Sequence, residues 1–153
     1  MVSKNFFDNH LGALIECVNF ASDEIMQIYN SDSFDQEEKS DGSPLTIADK
    51  KSNEIILNSL KKISKDISII SEETFSEDLI KSLDQTYWLV DPLDGTKEFI
   101  NKTGEFTVNI AMINNKKVVF GIVGAPVTRK IWHGSIFEDV QSQNNYYDKL
   151  RIV

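Results

Sequence analysis

The chain has 153 residues, of which 41% are hydrophobic, enough for the core of one domain or one large lobe. Its net charge of −8 argues against binding to nucleic-acid polymers, which requires a basic surface. No apolar run approaches the roughly 20 residues of a transmembrane segment, and no signal segment or disulfide framework is evident, since Cys17 is the lone cysteine. We therefore expect a cytoplasmic protein, with Cys17 packed in the core rather than acting as a nucleophile.

Two long amphipathic helices are predicted in the first half of the chain. Apolar residues recur at steps of three and four over residues 5–29, which predicts the first helix. The second is predicted over 46–63, because Thr46 followed three residues later by Asp49 resembles a capping box. Asp49 has a structural interpretation, a charge favoured at a helix start, and a functional one, a carboxylate aimed at a neighbouring site. The acidic segment 30–44 between the helices is predicted to be a mobile loop.

Strands are predicted between and after these helices. A β-rich run over 67–71 ends in Glu72 and Glu73. Consecutive residues of a strand point to opposite faces, so we expect at most one of this pair in a given site. A second run, 87–90, ends in another acidic segment. A short helix is predicted over 76–83, and an antiparallel meander of three strands over 106–113, 117–126 and 130–135. The polar segment 138–148 is predicted to be irregular, and another strand is predicted to start at 150–153.

The segment from Asp91 to Asp94 is predicted to be a tight turn. Pro92 presets φ at the second position, and Gly95 just after it tolerates a left-handed backbone. Such a turn can aim both carboxylates at one point, where they repel each other unless a cation or a proton lies between them. One hypothesis is a divalent-metal site at a strand end with Thr96 close by. The alternative is an acidic loop with no role in chemistry.

Strand ends can converge in a layered α/β sandwich, so three acidic positions can share one crevice: Asp49, the pair Glu72 and Glu73, and the pair Asp91 and Asp94. With the Leu93 carbonyl these positions offer oxygen ligands alone, which suit Mg²⁺ better than Zn²⁺. Such a site serves phosphoester hydrolysis, and the Thr96 hydroxyl can help to activate water if a carboxylate such as Asp49 orients it. The chain has no P-loop and no dinucleotide fingerprint.

The run Asp91-Pro92-Leu93-Asp94-Gly95-Thr96 resembles the signature of the inositol monophosphatase superfamily of Mg²⁺-dependent, lithium-sensitive phosphatases. Glu72-Glu73 resembles the Glu-Glu element of that family, and the segment 44–49 resembles the helix start that carries a catalytic aspartate. The extension Thr96-Lys97-Glu98-Phe99 resembles the 3′(2′),5′-bisphosphate nucleotidase branch more than the inositol branch. The resemblance continues through residues 121–127, where Gly124 takes the place of a tyrosine that is frequent in this branch.

The resemblance implies an α+β fold, a layered α/β sandwich of the inositol-monophosphatase type, with two long helices packed on a mostly antiparallel sheet. Residues 1–153 would form the N-terminal lobe of a sugar-phosphatase-like fold. The C-terminal lobe is expected to be absent, because family members are roughly twice as long and their remaining metal-binding aspartate, in a Trp-Asp element, has no match here. The uncovered lobe interface is then expected to allow self-association.

The resemblance also implies roles for individual residues. Glu72 would bind the first metal together with the Leu93 carbonyl, Asp91 would bridge two metals, and Asp94 would bind the second, with two or three Mg²⁺ ions in the complete enzyme. The residues expected to contact the substrate phosphate are Glu72, Leu93, Asp94, Gly95 and Thr96. Asp49 and Thr96 would activate the attacking water, and Glu73 would support the metal ligands.

The function implied by these motifs is Mg²⁺-dependent hydrolysis of a phosphomonoester, with adenosine 3′,5′-bisphosphate as the preferred substrate and a link to sulfate assimilation. A small phosphorylated substrate is compatible with an acidic protein, because it requires only a local cation or metal. Two alternatives stay open. One is an inositol monophosphatase or another sugar-phosphate phosphatase, and the other is a non-catalytic truncated fragment that only binds metal or self-associates.

Overall fold

The structure, a computed structural model, describes residues 2–31, 35–39, 44–78 and 83–144. Three helices lie in these ranges: α1 (Lys4–Tyr29), α2 (Ile47–Ile63) and the short α3 (Thr96–Ile100). Eight strands accompany them: β1 (Gln36–Glu38), β2 (Pro44–Thr46), β3 (Ser68–Ser71), β4 (Thr86–Asp94), β5 (Thr107–Asn114), β6 (Lys117–Ala125), β7 (Lys130–Ser135) and β8 (Glu138–Asn144). A 3₁₀ turn, Glu72–Thr74, follows β3.

Both long helices begin and end within two residues of the predicted bounds. The Ser3 hydroxyl caps α1 by accepting a hydrogen bond from the Phe6 backbone N–H at 3.2 Å. At the start of α2, the capping box between Thr46 and Asp49 is present in both directions. Cys17 is buried on α1, and burial raises the pKa of its thiol to about 11, as expected for a packed rather than a reactive cysteine. Within the described ranges, no helix is long and apolar enough to cross a membrane.

Strands β3 to β8 form one six-stranded sheet in sequence order. Only the β3–β4 pair is parallel, and the pairs from β4 to β8 are antiparallel. The two long helices pack on one face of this sheet, where Trp88 is completely buried and donates to the Ser64 hydroxyl at 2.8 Å. On β4, the neighbouring Leu89 remains 45% exposed. The predicted α+β architecture, with two long helices on a mostly antiparallel sheet, is therefore confirmed.

Two segments that were predicted to be irregular contain strands. Within the acidic segment 30–44, Gln36–Glu38 pairs antiparallel with Pro44–Thr46. In the polar segment 138–148, the described residues 138–144 form β8, which pairs with β7. Strands β1 and β8 consist mostly of polar residues, so their pairing comes from backbone hydrogen bonds rather than from a buried face that an alternating pattern would reveal. Residues 79–82 of the predicted helix 76–83 lie outside the described residues, and the predicted strand 150–153 lies wholly outside them.

Gly124 on β6 lets α1 approach the sheet closely. A Cβ atom at this position would lie 2.3 Å from Cγ1 of Val18, which is completely buried on α1. Gly121 lies three residues before Gly124 on the same strand, and a Cβ atom added there would have no neighbouring atom within 4 Å. The close approach of α1 to the sheet therefore occurs at Gly124 and not at Gly121.

Gly124→Ala is expected to lower the free energy of unfolding by about 1–3 kcal/mol, because the added methyl group overpacks the interface between α1 and the sheet. Urea unfolding followed by far-UV circular dichroism measures this loss. The matched control is Gly121→Ala on the same strand, which is expected to leave the free energy of unfolding unchanged or slightly raised. Equal losses for the two variants would contradict the close approach.

Candidate active site

Asp91 and Asp94 lie on β4, which continues to Asp94 instead of ending in a tight turn at Asp91. Asp91 is opposite Asn109 and Asp94 is opposite Thr107, so three steps along β4 match two steps along β5. The extra residue is a β-bulge, and Pro92 lies within it, where no N–H is needed for the ladder. Residues three apart on a regular strand would point to opposite faces. The bulge instead places both carboxylates on the same face, so the predicted turn is wrong although the two carboxylates do come together.

Gly95 allows the chain to leave the bulge and enter α3. Its backbone is left-handed, with φ 93° and ψ 40°, a conformation that glycine adopts without steric cost. A Cβ atom here would lie 2.8 Å from the Glu105 carbonyl oxygen. The glycine thus serves two needs, a left-handed backbone and close contact with the segment before β5.

Asp49 links the start of α2 to Thr96. Its side chain is completely buried, and Oδ2 accepts hydrogen bonds from the Thr46 backbone N–H at 2.8 Å and from the Thr46 hydroxyl at 2.6 Å. Oδ1 accepts a hydrogen bond from the Thr96 hydroxyl at 2.9 Å. The structural and functional interpretations of Asp49 are therefore compatible, because one oxygen caps the helix while the other faces Thr96.

Further hydrogen bonds hold α2 and the bulge together. The buried Ser52 hydroxyl, one turn after Asp49, donates to the Pro92 carbonyl oxygen at 2.7 Å. The Leu93 carbonyl oxygen, a predicted metal ligand, lies 3.3 Å from the Thr96 hydroxyl oxygen. These contacts fix the backbone carbonyls of the bulge relative to the helix start.

Glu72 and Glu73 lie in the 3₁₀ turn after β3, so the expectation that a strand would send them to opposite faces does not apply. Both carboxylates contact the same cation: Lys39 Nζ lies 2.9 Å from Glu72 Oε1 and 2.8 Å from Glu73 Oε1. Burial works against the charge of Lys39, but hydrogen bonds to Glu73 and Glu72 leave its pKa raised. For Glu73, burial raises the pKa and the contact with Lys39 opposes it. Sequence reasoning missed Lys39, although it is the lone basic residue in the acidic segment 35–41.

Asp91 lies at the centre of the carboxylate cluster. Burial raises the pKa of Asp91 to about 7, with further contributions from the charges of Glu72 and Asp94 and from a hydrogen bond with Glu72. The Leu93 backbone N–H, 3.2 Å from Asp91 Oδ1, partly offsets this rise. Carboxylates crowded in this way favour a proton or a cation among them.

The donor chemistry of this cluster fits Mg²⁺, because carboxylate and carbonyl oxygens are the ligands that hard cations prefer. Among the residues that the structure describes, however, no three Asp, Glu, His or Cys side chains are arranged to hold a metal ion together. Glu72 is paired with Lys39, and Asp94 Oδ2 accepts a hydrogen bond from Asn109 Nδ2 at 3.3 Å. The metal ligands implied by the resemblance therefore stay a prediction.

The carboxylates of Glu72 and Asp91 lie at the polar end of an open cleft of about 830 Å³ on the face of the sheet opposite the long helices. Lys39, Glu72, Asp91 and Asn109 line this end. The remaining wall is mostly apolar, with exposed Leu89 among its side chains. A small ligand entering the cleft would thus meet the carboxylates at one side and an apolar surface beyond them.

The metal-free chain is expected to lose stability as the pH rises from about 4 to 7. The folded pKa of Asp91, about 7, lies above its ordinary value of 3.8, so the folded state keeps a proton that the unfolded state releases. The resulting stabilisation is complete below about pH 4 and disappears as the pH passes the folded pKa. Because Asp91 is partly exposed, solvent screening limits the effect to about 1–2 kcal/mol. Urea unfolding at pH 5 and pH 8 measures it, and Asp91→Asn should remove the difference attributable to this group. An identical pH dependence in both proteins would contradict the prediction.

The sequence of the chain is similar to those of known proteins. The model of the inositol monophosphatase family matches residues 8–151. The 3′(2′),5′-bisphosphate nucleotidase CysQ of Salmonella typhimurium is 45% identical over 116 residues, which cover 75% of this chain and 47% of that protein. CysQ of Buchnera aphidicola is 36% identical, and the match covers 97% of this chain and 58% of that protein.

Solved structures give the same result. CysQ from Bacteroides thetaiotaomicron superimposes with a TM-score of 0.76 at 36% identity, covering 90% of this chain and 50% of that one. The suppressor protein suhB from Bartonella henselae has the same fold, with a TM-score of 0.76 at 23% identity over 87% of this chain and 51% of that one. The chain spans about half the length of the curated relatives it matches. Because the family model covers nearly all of its residues and the fold agrees, this chain belongs to the inositol monophosphatase family.

Proposed function

We propose that this chain carries most of the catalytic centre of a Mg²⁺-dependent phosphomonoester hydrolase whose substrate is adenosine 3′,5′-bisphosphate. The observation that carries the proposal is the hydrogen bond between the Thr96 hydroxyl and buried Asp49, beside a cluster of carboxylates crowded around Asp91. The identity to proteins named 3′(2′),5′-bisphosphate nucleotidase supports the choice of substrate. The extension Thr96-Lys97-Glu98-Phe99 supports the same branch.

In this proposal Glu72, Asp91, the Leu93 carbonyl and Asp94 hold the Mg²⁺ ions. When bound, the ions supply neutralisation of phosphate charge and activation of water. The bulge of β4 supports the assignment, because it brings Asp91 and Asp94 to one face. Lys39 would have to leave Glu72 for that carboxylate to become a ligand. Glu73, which also contacts Lys39, would remain as a supporting residue.

Asp49 and Thr96 would handle the proton of the attacking water. The Thr96 hydroxyl donates to Asp49 Oδ1, so its oxygen is left as an acceptor for a water proton. Asp49 is fixed by its hydrogen bonds to Thr46 and is completely buried, where a charged acceptor is electrostatically strong. The pair can therefore orient a water molecule and draw its proton toward Oδ1.

The substrate phosphate would contact the short segment from Leu93 to Thr96, together with Glu72. This assignment rests on the resemblance of the Asp-Pro-Leu-Asp-Gly-Thr segment to the family signature. The apolar part of the cleft beyond Asp91 offers a surface for the rest of a small phosphorylated ligand. A cytoplasmic location stays a prediction from the sequence.

A hybrid protein tests the proposal, since the chain spans only half of its relatives. The 153-residue chain is joined to the part of Salmonella typhimurium CysQ that follows the matched region, and phosphate release from adenosine 3′,5′-bisphosphate is measured with and without Mg²⁺. Release that depends on Mg²⁺ and disappears in Asp49→Asn is the expected result. A folded hybrid that releases no phosphate would overturn the proposed activity.

The same assay separates the alternatives. Faster release from inositol 1-phosphate than from adenosine 3′,5′-bisphosphate would favour an inositol monophosphatase. An active hybrid beside an inactive but metal-binding 153-residue chain would identify the chain alone as a non-catalytic fragment. Light scattering of the chain alone tests whether it self-associates through the open face of its sheet.

A further inference from the structure

Asn109 occupies the middle of β5, directly opposite Asp91 in the pairing with β4. Its Nδ2 donates a hydrogen bond to Asp94 Oδ2 at 3.3 Å, and its side chain lines the cleft beside Asp91 and Glu72. We propose that Asn109 is a positioning residue that holds the Asp94 carboxylate beside Asp91 for cation binding. This inference rests on the proposed function, because it assumes that both carboxylates serve a metal.

The two aspartates differ in how they are held. The Asp91 carboxylate is half-buried and accepts a hydrogen bond from the Leu93 backbone N–H. Asp94 is exposed at the end of β4, and its negative charge repels that of Asp91. A free side chain in this position would lower its energy by rotating away into solvent. The hydrogen bond from Asn109 opposes that rotation, so it sets the separation of the two carboxylates.

An amide is suited to this task because it donates a hydrogen bond without changing the charge of the site. The contrast is Lys39, whose ammonium group neutralises the carboxylates that it contacts. The nearest residues on the same face of β5, Thr107 and Ala111, are shorter than asparagine and carry no amide. Because the bulge offsets β4 by one residue, Asn109 is opposite one carboxylate and within reach of the other.

Titration with Mn²⁺ tests the inference on the 153-residue chain itself, with free Mn²⁺ measured by electron paramagnetic resonance. Asn109→Ala is expected to weaken binding by about tenfold to a hundredfold, the usual range for residues that orient metal ligands. Asn109→Thr keeps a strand-forming residue but is too short to reach Asp94, and it is expected to weaken binding equally. The matched control is Asn114→Ala at the far end of β5, opposite Thr86, which is expected to bind like wild type.

Asn109→Asp distinguishes positioning from charge. This variant adds a carboxylate but loses the donor, so weaker binding supports positioning, whereas tighter binding would overturn it. Wild-type affinity in folded Asn109→Ala or Asn109→Thr would also overturn it, while leaving the proposed function intact. If the folded wild-type chain binds no Mn²⁺ at all, this inference is overturned, whereas the proposed function is decided separately by phosphate release from the hybrid.

Discussion

Replacing Asp91 with asparagine is expected to abolish measurable Mn²⁺ or Mg²⁺ binding by the chain and phosphate release by the hybrid, while leaving the fold intact. Asp91 is hydrogen-bonded to Glu72, and the charges of Glu72 and Asp94 both raise the pKa of Asp91. Asp91 is therefore close to both of these carboxylates. Its loss should weaken binding by more than about a hundredfold, the upper limit for residues that merely support ligands. Calorimetric titration with metal and the phosphate-release assay measure the two effects.

The stability of Asp91→Asn provides an independent outcome. At pH 8 without metal, removal of one negative charge from a crowded cluster should leave the free energy of unfolding unchanged or raise it by up to about 1–2 kcal/mol. Asp66→Asn is the control, because Asp66 is exposed before the first residue of β3, at the opposite end of that strand from Glu72. A large loss of metal-free stability in Asp91→Asn alone would show that Asp91 is structural.

Gly95→Ala is expected to lower the free energy of unfolding by about 2–4 kcal/mol. The left-handed backbone, φ 93°, costs an L-residue about 1–2 kcal/mol. The new methyl group would also meet the Glu105 carbonyl oxygen at 2.8 Å, which forces a backbone shift. Because Thr96 follows directly, the shift should also disturb its hydrogen bond with Asp49. Chemical denaturation measures the first effect, and phosphate release by the hybrid measures the second.

Gly104→Ala separates the two causes of this loss. Gly104 also has a left-handed backbone, φ 82°, but its added Cβ would meet only the Val127 side chain, at an ordinary distance of 3.5 Å. It should therefore lose about 1–2 kcal/mol, from the backbone alone. If Gly104→Ala and Gly95→Ala lower the free energy of unfolding equally, the contact between the added methyl group at position 95 and Glu105 does not contribute to the loss.

Sequence patterns predicted those elements that bury a regular apolar face or carry a local capping signal. The apolar residues at steps of three and four predicted α1, and the Thr46–Asp49 capping box predicted the start of α2. The alternating residues of β5 and β6 predicted that these two strands pair. β8 was missed because all of its residues except Val140 are polar, so its strand conformation depends on a neighbour that no local pattern reveals. The bulge at Pro92 was missed for a similar reason, since a turn signal and a bulge signal use the same residue types.

The candidate site was predictable through its motifs and not through its contacts. The segments carrying Asp49, Asp91 and Thr96 were identified, and the hydrogen bond of Thr96 with Asp49 is present. Lys39 and Asn109 were not identified, because their importance comes from partners distant in sequence. A lone lysine in an acidic run and an amide among the apolar residues of β5 were the local signs of them.

Asp49 connects the start of α2 to the start of α3. The same carboxylate accepts the Thr46 amide at the first turn of α2 and the hydroxyl of Thr96 at the first turn of α3. Fraying of α2 would therefore release Thr96, and any ligand that immobilises Thr96 should slow fraying of the first turn of α2. Amide hydrogen exchange at Thr46 should thus report whether a ligand holds Thr96 in place.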